Sequence, residues 1–188
     1  VDRPEAARRA ALGIALASLA GASAESEPFA EELETVAAFV PGNEKIAALE
    51  DNAKTGVPDA GQLLRGFKPL ALTALKAEAA GNANGVWDTL VGNARSLVTV
   101  RRTGDIEGDD TEARRARAEV ALGEGDAAAA VAEVGAIEGP AAGVMADWLE
   151  TAKARARVNA LIIDLRRTLL ADLAVAHGAA GAEGGAGQ

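Results

Sequence analysis

Apolar residues recur along this chain every three or four positions, and no segment shows the strict alternation of a half-buried strand. The pattern predicts an all-α protein, a helical bundle of antiparallel helices. A first helix over 4–19 has Pro4 in its first turn, where a missing N–H is harmless, and aligns Leu12, Leu16 and Leu19 with Ile14 alongside. A second starts near Pro28 with Ser26 as its N-cap. It stripes Phe29, Leu33, Val36 and Phe39 or Val40 along one side before Pro41-Gly42 end it. Asn43 can cap a third, with Ile46, Leu49 and Ala53 inward and a stop at Gly56. Pro58 opens a fourth through Leu63, Leu64 and Phe67. Pro69 lacks a donor and crowds the preceding turn, so a kink or break is expected there, followed by a new helix through Leu72 and Leu75.

Gly81-Asn82-Ala83-Asn84-Gly85 reads as a turn. A helix over 86–97 with Trp87, Leu90 and Val91 follows, and then Val98-Thr99-Val100, too short to imply a sheet. An acidic loop over 103–110 leads to Thr111, a good N-cap for a helix ending at Leu122. Gly123-Glu124-Gly125-Asp126 predicts a tight turn into a second short helix over 127–137, with Ala130 facing its neighbour. The pair is similar to half a tetratricopeptide unit, but no period of ~34 residues recurs, so it reads as an αα-hairpin. One long helix then spans 140–174, carrying Val144, Trp148, Ala152, Val158, Leu161, Ile162, Leu165, Leu169 and Leu173. Its three, four and seven spacings predict a seam against other helices, of this chain or of another subunit. We expect one domain over 1–174, its 111–174 part being the hairpin plus long helix, and a disordered Gly/Ala tail over 175–188.

Composition changes the picture of the core. Of the 188 residues 49% are hydrophobic and only 3% aromatic, and most of the apolar content is alanine. Alanine favours helix yet buries little area, so packing should be close and thin, and each large ring should be an anchor. Phe29 and Trp148 are the foremost anchors, with Gly125 and Asp126 building the hairpin turn. Trp148 could also be a partner hot spot, but it shares a face with Val144 and Ala152, which favours the core.

Charge and chemistry narrow the function. The chain is acidic, net −9, and so a poor binder of nucleic acid. Residues 151–174 run against this, with five cations to two anions. Lys153, Arg157, Arg166 and Arg167 are therefore candidates for contact with a partner or, weakly, with anionic lipid. The alternative is a solvated face. Leu161, Ile162, Leu165 and Leu169 are the candidate seam for self-association into a homo-oligomer. There is no cysteine, and the one histidine, His177, has no partner for a nucleophile–base arrangement. Asp105, Glu107, Asp109 and Asp110 lack the spacing of a calcium loop. No catalytic, cofactor or metal residues are assigned, and an enzyme is not expected. The segment from Arg8-Arg9 to Ala24 imitates a secretory signal, but helix continues directly after it. The chain starts without Met and reads as an excised domain, with any membrane anchor upstream of Val1.

GEGDAAAAVAEVGAIEG, followed by Ala146-Asp147-Trp148-Leu149-Glu150-Thr151-Ala152-Lys153, resembles the C-terminal signature of the mitofilin family. Glu27-Pro28-Phe29-Ala30-Glu31-Glu32-Leu33 is similar to the P-F-x-x-E-L element of its bacterial members. Thr55-Gly56-Val57-Pro58 and Ser96-Leu97-Val98-Thr99-Val100-Arg101 match further landmarks in the same order, over about 8–173 in all. Alanine and arginine usage looks like the alphaproteobacterial branch. The resemblance implies a non-enzymatic scaffold that organises inner-membrane invaginations, of the crista-junction or intracytoplasmic-membrane type. It implies an anchoring transmembrane helix and a coiled coil elsewhere, and this domain in the periplasm or, in mitochondria, the intermembrane space. Protein partners at the membrane, outer-membrane proteins among them, follow from the same likeness. The competing reading is a periplasmic helical module that binds a peptide or protein in a groove beside Gly125 and does not shape membranes.

Overall fold

The computed structural model describes the backbone of residues 3–82 and 107–183 and the side chains of 3–81 and 107–171. The expected helix over 86–97, Trp87, Val98-Thr99-Val100 and Asp105 lie outside the described residues. Among the described residues there are seven helices and no strand, an all-α helical bundle. None of the helices is long and apolar enough to cross a membrane. The chain forms two compact units, one from Val1–Asp59 with Arg157–Gln188 and one from Ala60–Ala156.

The first unit contains α1 (Arg3–Ala24), α2 (Ala30–Phe39), α3 (Glu44–Thr55) and the later part of α7 (Gly139–Glu183). Leu12, Ala15, Leu16 and Leu19 are buried, an i, i+3, i+4, i+7 set. Ile14, expected beside them, is 72% exposed, because it sits about 200° round the helix from Leu12. Ser26 does not cap α2. Phe29 takes the cap position without any side-chain cap bond, and its ring is buried. Asn43 caps α3 as expected, its side chain accepting from the Lys45 backbone N–H at 3.0 Å. Ile46, Leu49 and Ala53 are all buried.

Two sequence landmarks meet in this unit. The Phe29 backbone N–H donates to the Ala53 carbonyl at 2.9 Å, tying the start of α2 to the end of α3. Gly56 ends α3 at φ 72°, ψ 172°, a conformation left to glycine. A Cβ there would lie 2.8 Å from the Glu27 carbonyl. The glycine is needed both for its backbone angles and for the close approach of the 26–27 segment.

The second unit contains α4 (Ala60–Asn82), α5 (Thr111–Gly123), α6 (Ala127–Gly135) and the earlier part of α7. Of the kink or break expected at Pro69, the break does not occur. α4 runs through it as one helix, so the helical phase is not reset, and the buried row continues Leu63, Phe67, Ala71, Ala74. Leu72, which a fresh helix would have turned inward, is 60% exposed. One missing backbone bond is tolerated because the row on either side of it stays packed. α5 is capped by Asp110, not Thr111: the Asp110 carboxylate accepts from the Ala113 N–H at 2.7 Å. α7 continues past 174 to Glu183, in keeping with the helix propensity of alanine, so 175–183 is helical where a disordered tail was expected.

Gly56→Ala should destabilise the chain by about 2 kcal/mol or more. Gly42→Ala, at φ 77° with open space around the site, should cost about 1 kcal/mol. Urea unfolding of both variants measures the difference, and equal costs would contradict the close approach at Glu27.

Candidate functional site

The Gly125-Asp126 joint is built from both sides. Asp126 N–H donates to the Ala121 carbonyl at 2.8 Å and Gly125 N–H to the Leu122 carbonyl at 3.1 Å. With Gly125 at φ 80° this is a Schellman ending for α5. The Asp126 carboxylate then accepts from the Ala129 N–H at 2.9 Å and starts α6. One residue thus closes one helix with its backbone and opens the next with its side chain. Across the hairpin Arg117 grips Glu133 with two bonds of 2.9 and 2.8 Å, and it also donates to the Gly108 carbonyl at 2.7 Å. Hydrogen bonding from Arg117, with the charges of Arg117 and Arg114 behind it, holds the Glu133 carboxyl below the usual glutamate range against the opposing effect of burial. The sequence signal of the clamp is that Arg117 and Glu133 stand at equal distances from Gly125, which makes them neighbours in an antiparallel hairpin.

Trp148 is a core anchor. Its indole N–H donates to the Leu63 carbonyl at 3.0 Å, and its ring meets that of Phe67 at 5.0 Å between centroids, tilted 55°. Around the pair cluster Ala118, Leu122, Ala130, Val134, Ala141 and Met145. Ala130 is fully buried, as the hairpin required. Val144 is only partly buried, and Met145 takes the inward place. The inner faces of α5 and α6 are therefore filled by side chains of this same unit, so the groove that a peptide-binding module needs is occupied there.

Of the four residues assigned to the self-association seam, Ile162, Leu165 and Leu169 are buried within the chain and Leu161 is half-buried. That face is already used. With Val158 they form the inward row of α7 in the first unit, where Lys45 of α3 holds Asp164 at 2.7 Å and the Thr168 hydroxyl at 2.9 Å. The hydrogen bond from Lys45 lowers the pKa of Asp164. The large side chains that this stretch turns outward are Ile163, 55% exposed, and Leu170, 49% exposed. Their signal in the sequence is an offset by one position from the buried row. Arg166 and Arg167 are exposed beside them. Lys153 and Arg157 are also exposed, but Arg157 stands about 120° round the helix from Ile163 and Lys153 pairs with Glu150 at 2.8 Å. The four cations do not form one patch. In the acidic loop, Asp110 is the helix cap and Asp109 pairs with Arg114 at 3.1 Å. Among the described residues no group of carboxylates is gathered for a metal ion.

Trp148→Phe should cost about 1–2 kcal/mol through the lost indole bond, and Trp148→Ala about 3–5 kcal/mol, both read from urea unfolding. A neutral Trp148→Ala would contradict the anchor. Because the Glu133 pKa is lowered by folding, its stabilisation is present above the ordinary glutamate range and fades as pH falls through the lowered value. The stability gap between the wild type and Glu133→Gln should therefore shrink on acidification. A gap independent of pH would remove the clamp from the account.

The family model "Mitofilin: Mitochondrial inner membrane protein" matches residues 12–165, a span that runs through both units. A MICOS complex subunit MIC60 of Phaeosphaeria nodorum is 30% identical over 159 residues, covering 75% of this chain and 26% of the relative. A protein of the same name from Pyrenophora tritici-repentis is 31% identical over 133 residues, 63% of this chain and 21% of the relative. The chain thus spans about a quarter of the length of these curated relatives. No solved structure matches it significantly. With most of its length matched by the family model, the Phe29 and Gly125-Asp126 landmarks included, this chain belongs to the mitofilin family.

Proposed function

We propose that this chain is the interaction domain of a membrane-anchored scaffold that organises inner-membrane invaginations, acting through self-association and contact with protein partners, without catalysis. The observation that carries this reading is the outward face of α7. Two large apolar side chains, Ile163 and Leu170, flank Arg166 and Arg167 there on a helix whose inward face is spent on the chain's own core. Arginine is enriched at protein interfaces, and the centre of such a patch is apolar. The names of the relatives, subunits of a complex, point the same way. Protein contact is favoured over lipid contact because the chain as a whole carries net −9, and an acidic body is repelled by anionic headgroups. In this reading the membrane anchor lies in another part of the protein, and the chain projects into the compartment enclosed by the invaginating membrane.

The test is to delete residues 12–165 from the encoded protein in its own host and count invaginations by electron tomography. The expected outcome is loss or misshaping of the membrane folds while the truncated protein still reaches the membrane. Normal folds in the presence of the deletion would overturn the reading.

A further inference from the structure

The outward faces of two helices in the first unit are complementary in charge and relief. On α7, Ile163, Arg166, Arg167 and Leu170 fall within an arc of about 100°, and all four are exposed. On α2, Ala30, Glu31, Glu34 and Ala38 fall within a similar arc and are also exposed. Among the described residues neither Arg166 nor Arg167 comes within ion-pair distance of a carboxylate, although the charge of Arg167 acts on Asp164, which Lys45 holds at 2.7 Å, and neither Glu31 nor Glu34 pairs with a cation. One row carries two cations between two large aliphatic groups. The other carries two anions between two alanines, whose small side chains leave room for Ile163 and Leu170.

We propose that the α7 row of one copy docks on the α2 row of a second copy, in a head-to-tail contact between identical chains. This rests on the scaffold reading above and names the surface by which it self-associates. Pairing α7 with α7 about a twofold axis would bring Arg166 and Arg167 against the same residues of the partner, a like-charge juxtaposition that opposes docking. A vesicle surface is disfavoured as occupant because Glu31 and Glu34 belong to the same unit as the arginines. The two docking faces differ, so the contact is heterologous: each copy keeps one free α7 row and one free α2 row, and copies can add successively into a ring or filament. A contact of one helix face on another is small, which makes it weak between free copies and salt-sensitive. Anchoring copies in one membrane raises their effective concentration and makes the same contact productive.

The test is sedimentation velocity of the 188-residue chain at low ionic strength, with four further samples. The wild type should associate with rising concentration and dissociate in high salt. The pair Arg166→Glu with Arg167→Glu should weaken association by about tenfold or more, and the pair Glu31→Lys with Glu34→Lys should do the same. Mixing the two double variants should restore association, as should combining all four changes in one chain, because each then offers a Glu row to a cationic row. All four residues are exposed, so the variants should still melt cooperatively, with only a small downward shift where Lys replaces Glu31 in the first turn of α2 and Glu replaces Arg167 beside Asp164. A wild type that is monomeric at low salt overturns the proposal, as does either double variant associating like the wild type or a failure of the mixture to recover. Arginine-dependent binding of the monomer to anionic vesicles in place of self-association overturns it in favour of lipid. None of these results bears on the deletion experiment, so this contact can fail while the membrane-organising role and its protein partners stand.

Discussion

The inward row of α7 is the constraint on which the rest depends. Ala141, Trp148, Arg155, Ile162 and Leu169 recur at intervals of seven and are all buried. Met145 and Ala152 join them in the Ala60–Ala156 unit, and Val158 and Leu165 in the other. An alanine-rich chain has few large side chains to bury, and α7 contributes buried residues to each of the two units. Where alanine fills the layer, as at Ala118, Ala130 and Ala152, backbones must come close. Trp148 then has a second task besides filling space. Its N–H to the Leu63 carbonyl fixes α7 against α4 in direction as well as in distance.

Such thin packing also explains why the turns are chemically exacting. Helices that offer little lateral adhesion must be aligned by their ends. The chain does this with a carboxylate at Asp110, an amide at Asn43 and the two-sided Asp126 joint. Gly56 does it by yielding space to the 26–27 carbonyls. Two of these joints, at Gly56 and Asp126, lie within the landmarks that resemble the family.

Most elements were legible because periodicity and punctuation agreed. Asn43, Gly56, Gly125 and Asp126 act as their residue types require, and Leu63 and Phe67 face inward as spaced. The misreadings share one cause. When half the apolar positions are alanine, the inner and outer faces of a helix differ little in hydrophobicity, so a local rule can tip the assignment. A proline rule reset the phase at Pro69 and sent Leu72 inward in place of Ala71. Size alone placed Ile14 beside the core row of α1, where it is exposed. The outward row at Ile163 and Leu170 was hidden by the same ambiguity, because only the three-dimensional burial of Ile162, Leu165 and Leu169 tells which of two adjacent apolar rows is spent. The Arg117–Glu133 clamp was readable in principle, but only after the hairpin had been drawn.

The central claim is that the inward row of α7 belongs to the interior of a single chain, which leaves the outward row as its surface for partners. Unfolding as a function of protein concentration tests this most directly. In high salt, where charge-based contacts between copies are screened, the urea midpoint should stay fixed over roughly a hundredfold range of concentration, as for a chain whose core is its own. A midpoint that climbs with concentration would mean that Ile162, Leu165 and Leu169 are covered by a second copy, and the account would be contradicted.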